Sequence, residues 1–505
     1  MTFYETYPSA VPLLAVLVSL VAAGLIVASG RRPALRETWT LAAAALKFAL
    51  VLGLLPGALA GRAAEVTLFE ISPGIALALR ADPLGVFFAL VASGLWVVTS
   101  VYSIGYVRVG GEANQTRYFA SFAVCLSATI GVAFSANLLT FLVFYEILSL
   151  ATYPLVIHKE TPEALAAGRK YLAYALTAGG LLLVATAWTW QAAGTLEFRP
   201  GGILAGSGAG PGTIRAIFVL ALAGVGVKAG IMPLHGWLPS AMVAPTPVSA
   251  LLHAVAVVKS GVFGVLRLVG FVFGPELMRG LGLATVLAVF AGTTVVLASV
   301  LALRQDELKK RLAYSTVGHL SYIVLGAALL TPSGLSGALL HLVNHATMKI
   351  TLFFCAGAIY VSLHKKNVSE LDGVGRDMPW TMGAFTVAAL GLAGVPPVNG
   401  FASKYLLCVG TLEAGQIAAL VVLLLSGLLN AAYFFPIVHR AFFRPSRDPH
   451  RGREAPASMV IPIAVVAVLS VVLGLFPNQF FDLATAVTAS VLAGPGGGVT
   501  AGIGP

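Results

Sequence analysis

Basic residues interrupt otherwise apolar stretches of this chain at Lys47, Lys228, Lys259, Arg267, Lys349 and Lys404. A lysine at mid-bilayer costs roughly 2.5–3.5 kcal/mol on insertion scales, so such groups face a protein interior or a water-filled cavity and mark an ion or proton route. Lys47 and Arg267 stand near the ends of their stretches and read as side chains that snorkel to the interface. Lys228, Lys259, Lys349 and Lys404 lie too deep for that. One carboxylate lies equally deep: Glu146, in "LVFYEILSLATYP", shares a helical face with Ser149 and Tyr153. A glutamate beside a lysine keeps both groups charged, so pairing with one of the buried lysines is the expected state; an ion pair that merely joins two helices is the plainer alternative. In "HLVNHATMK", His341, His345 and Lys349 recur at i, i+4 and i+8, within about 80° of one helical face. Titratable groups stacked in this way make a proton wire. His253, in "LLHAVAVVK", and His319, in "STVGHLSYI", are at similar depth. On a regular helix His253 stands about 120° from Lys259, so the two serve different neighbours.

The elements that must hold these groups follow from composition. Hydrophobic residues make up 58% of the 505 and charged residues 10%, which leaves almost no face to solvate a globular body. The expectation is an all-α polytopic membrane protein of about fourteen transmembrane helices, near 10–29, 40–60, 81–103, 117–134, 137–157, 169–190, 214–234, 245–268, 282–303, 311–331, 335–361, 380–409, 416–438 and 457–477. The first apolar run follows a segment with Glu5 and no lysine or arginine, and reads as a retained helix rather than a cleaved leader. Cys125, Cys355 and Cys408 have no metal or disulfide spacing and read as small core residues. The Gly-rich tail 494–505 reads as disordered.

Loop charges give the orientation. Sorting loops alternately sends Arg31, Arg32, Arg36, Arg108, Arg117, Lys159, Arg169, Lys170, Arg304, Lys309, Lys310, Arg311, Lys365, Lys366, Arg376, Arg440, Arg444, Arg447, Arg451 and Arg453 to one side. The other side receives only Arg62, Arg80, Arg199, Arg215 and Arg279. The richer side is the cytoplasmic one, which places both termini outside. The net charge of +11 then reflects topology and requires no nucleic-acid partner.

Two spans are broken. "LAGVPPVNGFASK" sets Pro396 and Pro397 before Lys404, and "VKAGIMPLHGWLPSAMVAPTPVSA" sets Pro233 after Lys228. Such breaks are tolerated in a membrane where they are buried in protein or line a cavity, and paired breaks in corresponding positions point to a transport site between internal repeats. The broken helices are the seventh and the twelfth, five spans apart, so helices 4–8 and 9–13 form two inverted five-helix repeats. The expected division is 1–110 for helices 1–3, 111–270 and 280–442 for the repeats, and 455–493 for helix 14 with a short following segment.

"FYEILSLATYPLVIH", "VKAGIMPLHGWLPSAMVAPTPVSALLHAVAVVKSGVF", "DELKKRLAYSTVGHLSYI", "LHLVNHATMK" and "GVPPVNGFASK" resemble the antiporter-like subunits shared by respiratory complex I, membrane-bound hydrogenases and Mrp cation/proton antiporters. The likeness covers residues 80–440. It implies that Glu146 and Lys228 form the functional ion pair, Lys259 bridges, His341, His345 and Lys349 relay, and Lys404 is the exit group; His253 and His319 stand in support by their depth alone. By the same resemblance the chain is most like the D-type subunit of an Mrp sodium or potassium/proton antiporter, although Tyr405 stands where those subunits commonly carry tryptophan. The alternative is a proton-pumping subunit of a redox complex such as a membrane-bound hydrogenase, formate hydrogenlyase or NADH-quinone oxidoreductase. A stand-alone solute carrier is the more distant reading. The implied setting is a bacterial or archaeal inner membrane, beside other membrane subunits, with no cofactor or metal. His341 and His345 point the same way and cannot ligate opposite faces of a haem.

Overall fold

The computed structural model describes residues 4–446 and 453–492; the tail expected over 494–505 lies outside them. Thirteen of its helices are long and apolar enough to cross a membrane. In chain order the crossings are α1 (Val11–Ala28), α2 (Pro33–Leu52), α3 (Pro83–Val109), α4 (Gln115–Ala133), α5 (Leu138–Val156), α6 (Pro162–Ala193), α7 (Pro211–Ala229), α8 (Thr246–Phe273), α9 (Leu283–Leu303), α10 (Leu308–Leu329), α11 (Pro332–Leu363), the two halves α12a (Pro379–Ala393) and α12b (Gly400–Glu413), α13 (Ile417–Phe443) and α14 (Ala457–Leu475). A further helix, α15 (Asn478–Leu492), follows. The halves of α12 are 15 and 14 residues long, each short of the ~20 that span a bilayer, so only together do they make the remaining crossing.

Local chemistry sets many of the helix starts. Asp82, Thr161 and Thr331 each cap the first turn of α3, α6 and α11 through a side-chain oxygen, with proline immediately after. Both breaks begin with a left-handed glycine, Gly230 after α7 and Gly394 after α12a, where a side chain would be strained. The Met232–Pro233 and Pro396–Pro397 peptide bonds are cis. Matching loop contacts recur in the two five-helix units. Asn137, between α4 and α5, bridges to Glu197 between α6 and α7; Glu307, between α9 and α10, bridges to Asn367 between α11 and α12a. Five crossings separate the two, so the contacts fall on opposite faces of the molecule.

The units meet along α8, which packs on α10 and α11. The apolar window of α8 is wholly buried and that of α10 is 94% buried, against 28% for α13. Polar groups within those windows of α8 and α10 therefore face protein almost throughout.

The sequence reading missed a small sheet. Strands β1 (Glu5–Pro8), β2 (Arg62–Ser72) and β3 (Ile75–Ala81) lie in that order, β1 parallel to β2 and β2 antiparallel to β3. The Pro73–Gly74 turn was a legible signal for the β2–β3 hairpin, but that hairpin lies between two strongly apolar spans and β1 is only four residues long. Arg80 fastens this sheet to the α6–α7 loop by pairing with Glu65 at 3.0 Å and Glu197 at 2.5 Å.

The snorkelling expectation also fails. The Arg267 side chain is 1% exposed and forks onto Asp82, at 2.5 and 2.8 Å, with the rings of Phe198, Phe263 and Phe271 around it. Lys47 is fully buried, donating to Ser19 and lying 5.1 Å over the Trp96 ring. Removing one member of a desolvated pair strands the other charge. Arg267→Met should therefore lower stability by about 3–5 kcal/mol, and Arg267→Met with Asp82→Asn by much less. The check is the temperature at which the detergent-solubilised protein leaves its monodisperse gel-filtration peak.

His158, in the loop after α5, supplies a pH test. Burial, and then the nearby Arg117, push its pKa down to about 4, against an ordinary value near 6.5. The unfolded chain takes up this proton first, so stability is full above about pH 6.5 and falls as the pH drops towards about 4. His158→Phe should flatten the melting temperature over that window; an unchanged acid slope would assign it to other groups.

Candidate functional site

The site starts on α5. Glu146 lies against Gly179 of α6, where a Cβ would come within 2.5 Å of the carboxyl carbon. The missing side chain is the room the carboxylate occupies. Its Oε1 is buried and has no hydrogen-bond partner. Lys228, in the last turn of α7, reaches the residue beside it: the ammonium donates to the Tyr145 carbonyl at 2.5 Å and lies 3.3 Å from the centre of the Tyr145 ring. Glu146 and Lys228 are near enough for their charges to act on one another, yet they make no direct ion pair. Cation–π attraction and a main-chain oxygen hold the ammonium instead.

Lys259 comes next, two residues before Gly261. A Cβ on Gly261 would collide with the backbone of Lys228 and Ala229, so this glycine is what lets the end of α7 close on α8. The Lys259 ammonium donates to the Leu342 carbonyl at 3.0 Å and contacts His345 Nδ1 at 2.9 Å. First and second units are joined here by a lysine on a histidine. His253 faces the same helix elsewhere, 4.8 Å from the Phe353 ring, with both ring nitrogens buried and unpartnered.

Three imidazoles form the middle of the site. His319 of α10 stacks 5.3 Å from His341 and 5.3 Å from His345, both on α11, and its Nδ1 lies 3.1 Å from His341 Nε2. His341 Nδ1 in turn lies 2.9 Å from Ser403 Oγ on α12b. Lys349 leaves this cluster: it donates to the Leu312 carbonyl at 3.2 Å and lies 5.4 Å from the Phe434 ring.

Lys404 closes the chain at the break of α12. The first half-helix ends in a left-handed glycine turn, whose amides take up the carbonyls of Leu390 and Gly391. The carbonyls of Leu392 and Ala393 remain, and the Lys404 ammonium donates to both, at 2.5 and 3.2 Å. A cation at a helix C-terminus is also favoured by the helix dipole. Asn399 pins the break from the other side, donating its backbone N–H to Ser470 of α14 and accepting from Asn344 of α11.

Sequence reasoning overlooked Tyr145, Ser403 and Asn430. Asn430 of α13 is 1% exposed and donates to His319 Nε2 at 3.2 Å and to the Leu392 carbonyl at 3.1 Å. A lone asparagine inside "LLLSGLLNAAYFF" was the available signal.

Comparison with known proteins bears on the family and the fold. The family model described as NADH:quinone oxidoreductase/Mrp antiporter, TM, matches residues 135–429. NADH-quinone oxidoreductase subunit N of Desulforudis audaxviator is 33% identical over 430 residues, covering 81% of this chain and 84% of that protein. Hydrogenase-4 component B of Escherichia coli is 34% identical over 429 residues, 79% of this chain and 62% of its own longer length. Among solved structures, the archaeal membrane-bound sulfane sulfur reductase matches with a TM-score of 0.87 at 25% identity over 96% of this chain and 98% of that one. The Mrp complex from Dietzia sp. DQ12-45-1b matches with 0.86 at 23% identity, over 96% and 97%, a likeness of fold. With fourteen crossings, two broken helices and a lysine–histidine line buried between two five-helix units, this chain belongs to the NADH:quinone oxidoreductase/Mrp antiporter transmembrane family, as an antiporter-like membrane subunit.

Proposed function

We propose that this chain moves protons across a bacterial or archaeal cell membrane as one subunit of a larger complex, along a line from Glu146 and Lys228 through Lys259, His345, His319 and His341 to Lys404. The observation that carries the reading is the contact of Lys259 with His345, which joins the two units by titratable groups alone. Lys349 and His253 stand beside the line as side reservoirs. Glu146 favours the protonated form of Lys228; a change in a neighbouring subunit that weakens this attraction releases the proton towards Lys259. One charge crossing 100 mV involves about 2.3 kcal/mol, within the range that changes in buried pairing supply. The chain then divides as 1–110, 111–270, 280–442 and 455–493, with transport between the middle two.

Two drives fit. The first is exchange against sodium or potassium, as in an Mrp antiporter and its D-type subunit. The second is coupling to a redox partner, favoured by the match to an NADH-quinone oxidoreductase subunit along 84% of that relative. Glu146→Gln and Lys228→Met should each cut proton flux in the reconstituted complex by about tenfold or more while the complex still assembles. Normal flux from either would refute the route. Flux that requires an imposed sodium or potassium gradient selects the first drive, and flux that requires electron input selects the second.

The excess of lysine and arginine in one set of loops supports an orientation with both termini on the non-cytoplasmic side. A cysteine at exposed Asp482 should then react with a membrane-impermeant maleimide in intact cells, and one at Lys310 only after lysis. The reverse pattern would invert the orientation.

A further inference from the structure

The donors and acceptors around His319 fix where its proton sits. Asn430 directs its amide nitrogen at the Leu392 carbonyl, 3.1 Å away, and at His319 Nε2, 3.2 Å away, while its Oδ1 accepts from the Tyr433 hydroxyl. A backbone carbonyl can only accept, so the group facing Leu392 is the NH2, and the amide has one orientation. His319 Nε2 therefore meets a donor and is the bare nitrogen of the neutral ring, which puts the proton on Nδ1. That proton points at His341 Nε2, 3.1 Å away, so His341 carries its own proton on Nδ1, which points at Ser403 Oγ, 2.9 Å away. Ser403 donates onward to the Gly400 carbonyl at 3.2 Å. One amide thus orients three donors in series, all aimed at α12b. On the other side, His345 accepts from Lys259 at Nδ1 and carries its proton on Nε2, which has no partner.

We propose that Asn430 is a positioning residue that caps and polarises the histidine relay. The inference rests on the transport reading above. While the amide occupies His319 Nε2, no proton enters there from His345, so the resting relay is closed. When the amide turns aside, a proton binds His319 Nε2 as the Nδ1 proton passes to His341 Nε2, the His341 Nδ1 proton passes to Ser403 Oγ, and the serine's own proton passes to Lys404 in its neutral amine form. One proton enters and one departs. Each ring is then left as its other tautomer, and His319 Nε2–H opposes the returning amide donor. A buried donor facing a donor is costly, so Asn430 resumes its cap only once the starting tautomers have been restored. The carbonyl that orients Asn430 is also the one that receives the Lys404 ammonium, so cap and exit group share an oxygen.

The test uses ¹⁵N-histidine-labelled protein, in its complex and in lipid, by solid-state NMR, with the His319 signals assigned by their loss in His319→Gln. The wild type should show His319 protonated on Nδ1 and bare on Nε2, and Asn430→Asp should reverse this. Asn430→Leu, which removes the cap, should raise passive proton leak through the undriven complex by about tenfold; the reversed tautomer of Asn430→Asp is the readout that a purely structural role would not move. Protonation on Nε2 in the wild type, an unmoved tautomer in Asn430→Asp, or wild-type leak in Asn430→Leu would each overturn the proposal. The wild-type spectrum decides the matter even where a variant fails to assemble. It is also independent of Glu146 and Lys228, whose variants test transport itself.

Discussion

A buried ammonium must find oxygen, and in this molecule the oxygen is almost always a main-chain carbonyl. Lys228 rests on Tyr145, Lys259 on Leu342, Lys349 on Leu312, Lys404 on Leu392 and Ala393, and Lys309 on Ala244. A carbonyl accepts from a charged or a neutral amine alike, whereas a contacting carboxylate would hold the charge in place. Arg267 on Asp82 is the contrasting case: a permanently charged group in a forked pair, suited to holding α8 to the start of α3. The cations are thus sorted by partner, the lysines onto carbonyls and the arginine onto a carboxylate.

The helix breaks serve the same rule. A carbonyl inside a continuous helix has only its second lone pair to offer, as at Tyr145, Leu342 and Leu312, whereas the last carbonyls of a helix have no internal partner at all. Ending α12a inside the protein exposes Leu392 and Ala393 as acceptors, and the lysine that uses them comes from the second half of the same crossing. Lys228 reverses this arrangement, lying at the end of its own half-helix and reaching across to α5.

Much of this was legible in the sequence because membrane depth makes charge conspicuous. Glu146, the four deep lysines and the His341–His345–Lys349 stripe stood out against apolar surroundings, and proline with glycine announced both breaks. What could not be read was partnership. Arg267 resembled an interfacial residue because Asp82, 185 positions away, had no pattern linking it to α8. The Tyr145 carbonyl that takes Lys228 belongs to the backbone and has no letter of its own. Lys349 shares the stripe of His341 and His345 by period, yet its long side chain turns to Leu312, a choice made by packing that helical spacing does not encode.

Gly261 carries a consequence for how closely α7 and α8 can stand. The α7 backbone at Lys228 and Ala229 rests where a Cβ would otherwise stand. The gauge between the helices bearing Lys228 and Lys259 is therefore set by one absent methyl group. Alanine there would act as a wedge, and because interiors are close-packed the displacement would be handed on to the imidazoles beyond.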